Sequence, residues 1–120
     1  MEVFGEGTAT ITLDNGEVFE EGVACTLEPQ IAAGQEILFT ATAFDGSIDV
    51  IQFGPDGPNP DLASVGIYET ETFDAIWLAD SRSAELTLTL DGSTISGIGH
   101  FQPGEDLGAG LVAGSIEVNC

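Results

Sequence analysis

Hydrophobic and polar residues alternate along much of this chain with a period of two, the pattern of β-strands that bury one face. In residues 8–13, three threonines fall on one side and three apolar residues on the other. Residues 85–90 repeat the pattern, with leucines at the inward positions and threonines between them. Residues 115–120 alternate again up to the final cysteine. The pattern therefore predicts one half-buried strand near the start of the chain and two toward its end.

Turn signals divide the rest of the chain into further short strands. The dipeptides NG at 15–16 and DG at 45–46 and 91–92 tolerate the positive φ angles of tight hairpin turns. Gly97 and Gly99 indicate either a bulge or a close backbone approach within their strand. Residues rich in β-branched and aromatic side chains predict the remaining strands, at 18–27, 36–44, 48–53, 62–68, 73–78 and 93–101.

The strands and turns together predict an all-β fold with little or no helix, because no window shows the 3.6-residue stripe of an amphipathic helix. About eight or nine short strands separated by turns are typical of a sandwich or a barrel. We predict an antiparallel β-sandwich, with an immunoglobulin-like arrangement as one form. The segment GPDGPNP at 54–60 cannot supply regular ladder donors, so we expect the chain to change layer there. Residues 1–120 should form one domain, with 1–7 as a flexible tether and 102–114 as a glycine-rich connection.

Charge narrows the classes of partner. The chain has 21 Asp and Glu against Arg82 as its one Lys or Arg, for a formal net charge of -20. Nucleic acids and anionic membranes are disfavoured as electrostatic partners, since both attract basic side chains. The acids are scattered along the chain, which favours solubility or adaptation to high salt over a specific acidic binding face. The 42% of hydrophobic residues still suffices for a folded core.

Cys25 and Cys120 are the only cysteines, and both fall on the inward faces of predicted strands. They could be two reduced core residues, because free Cys is a frequently buried small side chain. We favour a disulfide, since an even number of cysteines in a small exported domain suits an oxidising compartment. Such a bridge would close a loop of ~100 residues and stabilise the fold by roughly 4 to 5 kcal/mol. A redox role is not expected, because the pair lacks CxxC spacing and a nearby cation.

The predicted disulfide also bears on location. It favours a domain outside the cytoplasm, either at a cell surface or secreted. No stretch is long and apolar enough to cross a bilayer, and residues 1–7 lack the basic flank and apolar run of a signal peptide. We therefore expect that an exported form carries its signal segment upstream of these residues.

Five segments resemble, in the same order, those of one bacterial family. They are ITLDNG at 11–16, GVACT at 22–26, DGPNPDLASVGI at 56–67, LDGSTISGIG at 90–99 and GSIEVNC at 114–120. Together they resemble the LpqH family of actinobacterial, chiefly mycobacterial, envelope lipoproteins of the nineteen-kilodalton surface antigen type. The resemblance implies a lipid-modified N-terminal cysteine, a flexible tether, a surface-exposed β domain and no enzymatic activity. This chain departs from the family pattern in its acidity and in its lack of a lipidation segment, which we expect upstream.

Catalytic chemistry has little support in the sequence. His100, the only histidine, could pair with Ser96 as nucleophile and Asp106 as orienting acid. The GxSxG elbow of hydrolases is absent, and a lone His on a strand is more often structural. Paired carboxylates are uninformative, because 21 acids offer a pair at almost any separation. We expect no catalytic residues.

A calcium site at the proline-rich loop is a minor alternative. Asp56, Asn59 and Asp61 could offer the oxygen ligands that calcium prefers. The EF-hand pattern is absent, however, and the prolines with Asp-Gly more simply explain a rigid turn. We expect no cofactor.

Three aromatic residues offer a second minor alternative. Tyr68, Phe73 and Trp77 could form a flat platform that stacks against sugar rings. A single Trp in a small β domain more often anchors the core, so we expect these side chains to pack inward. Arg82 is expected to contact a nearby acid in a turn, in a solvent-screened pair.

These expectations combine into one functional hypothesis. The domain should be a monomeric, non-catalytic, surface-exposed part of a bacterial envelope lipoprotein or secreted protein. Its role would be structural, adhesive or partner-binding, with an unknown protein or glycan as partner. The alternatives are a carbohydrate- or calcium-binding module of a secreted system and, less favoured, a small hydrolase.

Overall fold

The computed structural model describes residues 4–82, 84–104 and 110–120, and these residues form strands and turns without a helix. In chain order the strands are β1 Phe4–Leu13, β2 Val18–Thr26, β3 Gln30–Ala32, β4 Gln35–Ala43, β5 Ile48–Phe53, β6 Ala63–Tyr68, β7 Ala75–Asp80, β8 Leu86–Asp91, β9 Thr94–Pro103 and β10 Val112–Asn119. The alternating segments are thus strands as predicted, and β3 is an additional strand. β1 begins at Phe4, so it includes part of the segment expected as a tether.

The sheet closes into an eight-stranded antiparallel barrel, so the predicted β-sandwich is wrong. Around the barrel the order is β1, β2, β4, β5, β6, β7, β9 and β10, and β10 pairs with β1 again. The closing contact between β9 and β10 runs from Thr94↔Asn119 to Val112↔Phe101. β3 lies outside this ring against β4, and β8 lies outside it against β9. Closure pairs strands that a sandwich would leave as open edges.

The long strand β9 explains why the barrel closes. One side of β9 pairs with β10 along residues 94–101. The other side pairs first with β8 over residues 94–99 and then with β7 at residues 102–103. β7 and β8 therefore share one edge of β9, each pairing with a different part of it. Alternation along each strand fixes its buried face, but it does not specify this change of partner.

The proline-rich loop at 54–60 does not change layer, contrary to the prediction. It joins β5 to β6, which pair directly from Ile48↔Ile67 to Gln52↔Ala63. The loop folds back over the start of β4, where the Glu36 N–H donates to the Asp56 carbonyl at 2.7 Å. The prolines of the loop lack backbone N–H groups. This is tolerated because the loop is a hairpin connection, where no neighbouring strand needs those hydrogen bonds.

Gly97 and Gly99 mark a close backbone approach, which is one of the two expected outcomes. A Cβ on Gly97 would overlap the carbonyl oxygen of Thr87, and one on Gly99 would lie 2.6 Å from a Leu86 methyl. The register of β9 is continuous against both neighbours at these positions. The glycines therefore bring β8 close to β9 without a bulge.

The barrel interior is filled by side chains from all its strands. Phe101 has the largest of the fully buried side chains, and Trp77 joins the same core. The threonines between the buried positions of β1 and β8 point outward instead. A filled interior is typical of a barrel of eight strands and leaves the outer surface as the place for ligands.

The predicted disulfide between Cys25 and Cys120 is confirmed, with Cα atoms 6.1 Å apart. The bridge joins β2 to the end of β10 although β1 lies between these strands. Gly7 of β1 makes the crossing possible, since a Cβ on it would lie 2.7 Å from the Cα of Cys120. The absence of a side chain at Gly7 thus leaves room for the end of β10 and its covalent link.

Among the described residues, none forms a helix of the length and hydropathy needed to span a membrane.

Candidate functional site

The outer face of β1, β10, β9 and β8 carries an ordered array of hydroxyl groups. Strand pairing places Thr10 beside Glu117, Glu117 beside Ser96, and Ser96 beside Thr89 in one row. The array, called the hydroxyl face below, comprises Thr8, Thr10, Thr12, Thr87, Thr89, Thr94, Ser96 and Ser115. Neighbouring rows lie about 6.7 Å apart along the strands, and neighbouring strands about 4.8 Å apart. The sequence predicted the outward threonines of β1 and β8, but only the fold brings them onto one face.

A groove of about 610 Å³ runs across the hydroxyl face. Its lining includes the exposed hydroxyls of Thr12, Thr89 and Ser96, the carboxylate of Glu117, and the Ile98 side chain, which is 60% exposed. The groove therefore combines hydrogen-bond donors and acceptors with a small apolar surface. Its volume lies within the range of roughly 300–1,000 Å³ that is common for small-molecule sites.

Two hydroxyls of this face are oriented by neighbouring side chains. Thr10 Oγ1 donates to Glu20 Oε2 at 3.3 Å. Thr94 Oγ1 donates to Asn119 Oδ1 at 3.4 Å. These contacts leave the hydroxyl oxygens of both threonines as acceptors for a ligand.

The possible catalytic group is not assembled. Ser96 and His100 lie on the same outward side of β9, four residues apart in a continuous register. At 3.3–3.4 Å per residue their Cα atoms are separated by roughly 13 Å, far beyond hydrogen-bond reach of the two side chains. Asp106 lies outside the described residues. In this geometry His100 lies too far from Ser96 to act as its general base.

The proline-rich loop is organised by protein contacts. Gln35 Nε2 donates to the Asp56 carbonyl at 3.1 Å, and Gln35 Oε1 accepts from the Asn59 N–H at 2.7 Å. The Asn59 side-chain oxygen accepts from Arg82 at 3.1 Å, and the Asp61 side chain is exposed at a positive φ of 59°. Over residues 4–82, 84–104 and 110–120, no group of three or more His, Cys, Asp or Glu side chains could hold a metal ion. The loop geometry is thus explained by Gln35 and Arg82.

Arg82 makes the contact that the sequence predicted. Its Nε lies 3.8 Å from Asp80 Oδ1, and both side chains are partly solvated. The backbone N–H of Arg82 also donates to the same carboxylate at 2.7 Å, which fixes the turn after β7. An exposed pair of this kind contributes little to stability, at most about 1 kcal/mol.

The three aromatic candidates lie in three different environments. Trp77 is buried in the core, and its Nε1 donates to Glu17 Oε2 at 2.9 Å. Tyr68 is half-buried, and partial burial together with the Asp49 carboxylate raises the pKa of its phenol. Phe73 is 63% exposed in the loop after β6. The ring of Trp77 is therefore not part of an open stacking platform.

A second surface, absent from the sequence expectations, lies at one end of the barrel. Its exposed apolar residues are Val18, Phe44 and Phe73, and its carboxylates are Glu20, Glu21, Asp45, Glu69 and Asp74. We call this surface the acidic end. A hollow of about 280 Å³ at this end is lined by residues of β2, the turn before β5, the loop after β6, and β5, β6 and β7, and neither Phe44 nor Phe73 is part of the lining. Each of its phenylalanines is followed directly by an aspartate, and this repeated Phe-Asp pair in two loops is the signal that could have revealed the surface.

The backbone holds the two phenylalanines of the acidic end in place. A Cβ on Gly46 would lie 3.0 Å from the Phe73 ring, and one on Gly22 would lie 3.5 Å from the Phe44 ring, so both rings lie beside glycine backbone. Phe73 has a φ of 58°, which costs roughly 1–2 kcal/mol for a residue other than glycine. The Phe73 N–H donates to the Glu69 carbonyl at 2.8 Å, a contact that closes the loop in this conformation. The chain thus keeps an exposed aromatic ring where glycine would be less strained.

Asp45 lies in the turn directly after Phe44 and carries a fixed negative charge. It accepts from the Ser47 hydroxyl at 2.6 Å and from the Ser47 N–H at 2.9 Å. These hydrogen bonds from Ser47 hold the pKa of Asp45 below its ordinary value. The negative charge at this turn therefore persists into mildly acidic solution.

Comparison with known proteins returns no match to a family model, to a curated protein or to a solved structure. The resemblance to the LpqH family is carried by the five sequence segments alone and stays a prediction. The site is therefore interpreted from its own geometry.

Proposed function

We propose that this chain is a non-catalytic, extracytoplasmic binding domain of the adhesion or partner-binding type, and that the groove in the hydroxyl face binds a neutral glycan. The observation that carries the proposal is the groove itself, about 610 Å³ in volume and lined by threonine and serine hydroxyls. Ser96 and His100 are too far apart on β9 to act together, which supports a binding role over a hydrolytic one.

The groove chemistry favours a polyhydroxylated ligand. Hydroxyl groups both donate and accept hydrogen bonds, so a row of them can match the hydroxyls of a sugar. Threonine methyl groups and the exposed Ile98 side chain offer apolar contact for the C–H faces of a ring. Glu117 can accept from a sugar hydroxyl and would repel sulfate or carboxylate groups. A neutral glycan satisfies all three conditions.

The strands give this surface the rigidity that weak polar contacts require. All the hydroxyls stand on paired strands of the barrel wall or on β8, and none is in a long loop. A ligand therefore does not have to order the site on binding, which lowers the entropic cost. A rigid hydroxyl array suits repeated, low-affinity contacts of the kind that adhesion uses through multivalency.

The disulfide supports a location outside the cytoplasm. Bridges such as Cys25–Cys120 persist in oxidising compartments and are rare where thiols are kept reduced. We place the domain at a cell surface or in a secreted protein, and the resemblance to envelope lipoproteins adds a lipid anchor to this proposal. A gene sequence that encodes a cytosolic start directly at Met1 would contradict it.

Removing hydroxyls from the groove is expected to weaken glycan binding strongly. The variant Thr89→Val/Ser96→Ala removes two exposed groove hydroxyls with little change in side-chain volume. Each lost hydrogen bond should weaken binding by about tenfold, and the pair by about a hundredfold. A panel of neutral oligosaccharides screened on an array, followed by calorimetric titration of the bound glycans, measures the effect.

Thr42→Val is the matched control, because Thr42 is exposed on β4, outside the groove lining. It should leave affinity unchanged, and sulfated glycans should not bind the unmodified domain. Failure of every neutral glycan to bind, or equal binding by the groove variant, would refute the proposal.

A further inference from the structure

We propose that the acidic end is a docking site for a basic, amphipathic segment of a partner protein, distinct from the hydroxyl groove. Its exposed phenylalanines, Phe44 and Phe73, lie in the turn after β4 and in the loop after β6, and each directly precedes an aspartate. Apolar rings between fixed carboxylates complement a segment in which Lys or Arg residues alternate with apolar ones.

Three of the large apolar side chains that are exposed on this protein belong to the acidic end. Phe44 is 65% exposed, Phe73 is 63% exposed, and Val18 is 60% exposed beside the hollow. Both rings lie close to glycine backbone, at Gly22 and Gly46, so they lose little side-chain freedom on binding. Buried aromatic anchors are typical centres of protein interfaces.

The charge around these rings is not neutralised by the chain itself. Arg82, the only Lys or Arg, pairs with Asp80 after β7, at the far end of the barrel. Glu20, Glu21 and Glu69 line the hollow with no basic neighbour from this chain. A cationic partner would therefore gain attraction at contact and would be steered toward this end from a distance.

The same charge disfavours the other occupants of an apolar surface. Two copies of this chain, each with a formal charge of -20, would bring like charges together at a shared acidic end. An anionic membrane is repelled for the same reason. A basic protein segment is the occupant that satisfies both the rings and the carboxylates.

A synthetic peptide of alternating Lys and Leu tests the proposal on the intact, disulfide-bonded domain. Amide chemical shifts of the ¹⁵N-labelled protein should change at residues 18–21, 44–47 and 69–74 and not at Thr89 and Ser96 in the groove of the hydroxyl face. The variant Phe44→Thr/Phe73→Asn should weaken binding by about tenfold or more, since it removes both aromatic contacts. Asn tolerates the positive φ of Phe73, so this variant should fold.

Ile31→Thr is the matched control, because Ile31 is 74% exposed but lies on β3, outside the acidic end. It should leave affinity unchanged, and a Lys-Ser peptide of equal charge should bind at least about tenfold more weakly than the Lys-Leu peptide. Equal binding by the two peptides, shifts spread over the whole barrel, or an equal loss in Ile31→Thr would overturn the proposal. Each of these results concerns the acidic end and leaves the glycan proposal to its own test.

Discussion

Removing the disulfide should lower the free energy of unfolding by about 4.7 kcal/mol, the chain-entropy value for a loop of ~100 residues. The bridge joins positions separated by 95 residues, so reduction gives the unfolded chain much more freedom. It also releases the end of β10, which closes the barrel against β1. Because small domains have roughly 5–15 kcal/mol of stability in all, this is the largest loss we expect from any small change. Urea unfolding of the variant Cys25→Ser/Cys120→Ser measures it.

Two controls separate the bridge from side effects of substitution. The unmodified domain, unfolded in the presence of a reductant, should show the same loss as the double variant. Ala24→Ser changes an exposed neighbour of Cys25 and should alter stability by less than about 0.5 kcal/mol. A loss below about 1 kcal/mol on reduction would mean that the closed barrel alone restrains the chain.

Replacing Gln35 with Leu is expected to cost about 3 kcal/mol, the second largest effect. Gln35 is only 5% exposed, and its amide contacts the carbonyls of Glu36, Gly54 and Asp56. Its oxygen accepts from the Asn59 N–H at 2.7 Å. Leu has a similar size but leaves the Asn59 N–H without its partner, at roughly 1–3 kcal/mol for a buried group. It also removes one of two hydrogen bonds at each of the three carbonyls, which keep their backbone donors. Urea unfolding gives the stability loss, and faster hydrogen exchange at the Asn59 amide identifies its origin.

Gln30→Leu provides the comparison for this prediction. Gln30 is exposed on β3, and its replacement should change stability by no more than about 0.5 kcal/mol. If the two variants were equally stable, water molecules would be bonding the backbone groups of the loop in place of Gln35. Gln35 would then not be the residue that fixes the loop conformation.

The alternation of apolar and polar residues predicted most of the strands well. It could not predict which strands that are distant in sequence pair with each other. The inward faces at residues 8–13 and 85–90 are as expected, because a single buried side determines the period. β3 escaped detection because all three of its residues are exposed and show no alternation. Barrel closure escaped because β9 changes partner along its length, which no local pattern encodes.

The candidate surfaces were harder to predict than the strands. Phe44 and Phe73 were expected to end and to begin strands, because aromatic residues favour β structure. In the fold, β4 ends at Ala43 and β7 begins at Ala75, so both rings lie in loops and are exposed. The hydroxyl face needed the first and last strands to become neighbours, and only the closed sheet shows that they do.

The bridge beneath β1 sets a mechanical limit on the chain. A force applied between Phe4 and Cys120 would first unzip β1 from its two neighbours, because both points lie at the same end of the barrel. The covalent path then runs through Cys25, so extension stops after about 75 Å, against about 400 Å for the reduced chain. Reaching this limit would strip β1 and the adjoining residues of β2 up to Cys25 from the barrel, while β8, β9 and β10 of the hydroxyl face would remain in a covalently closed ring.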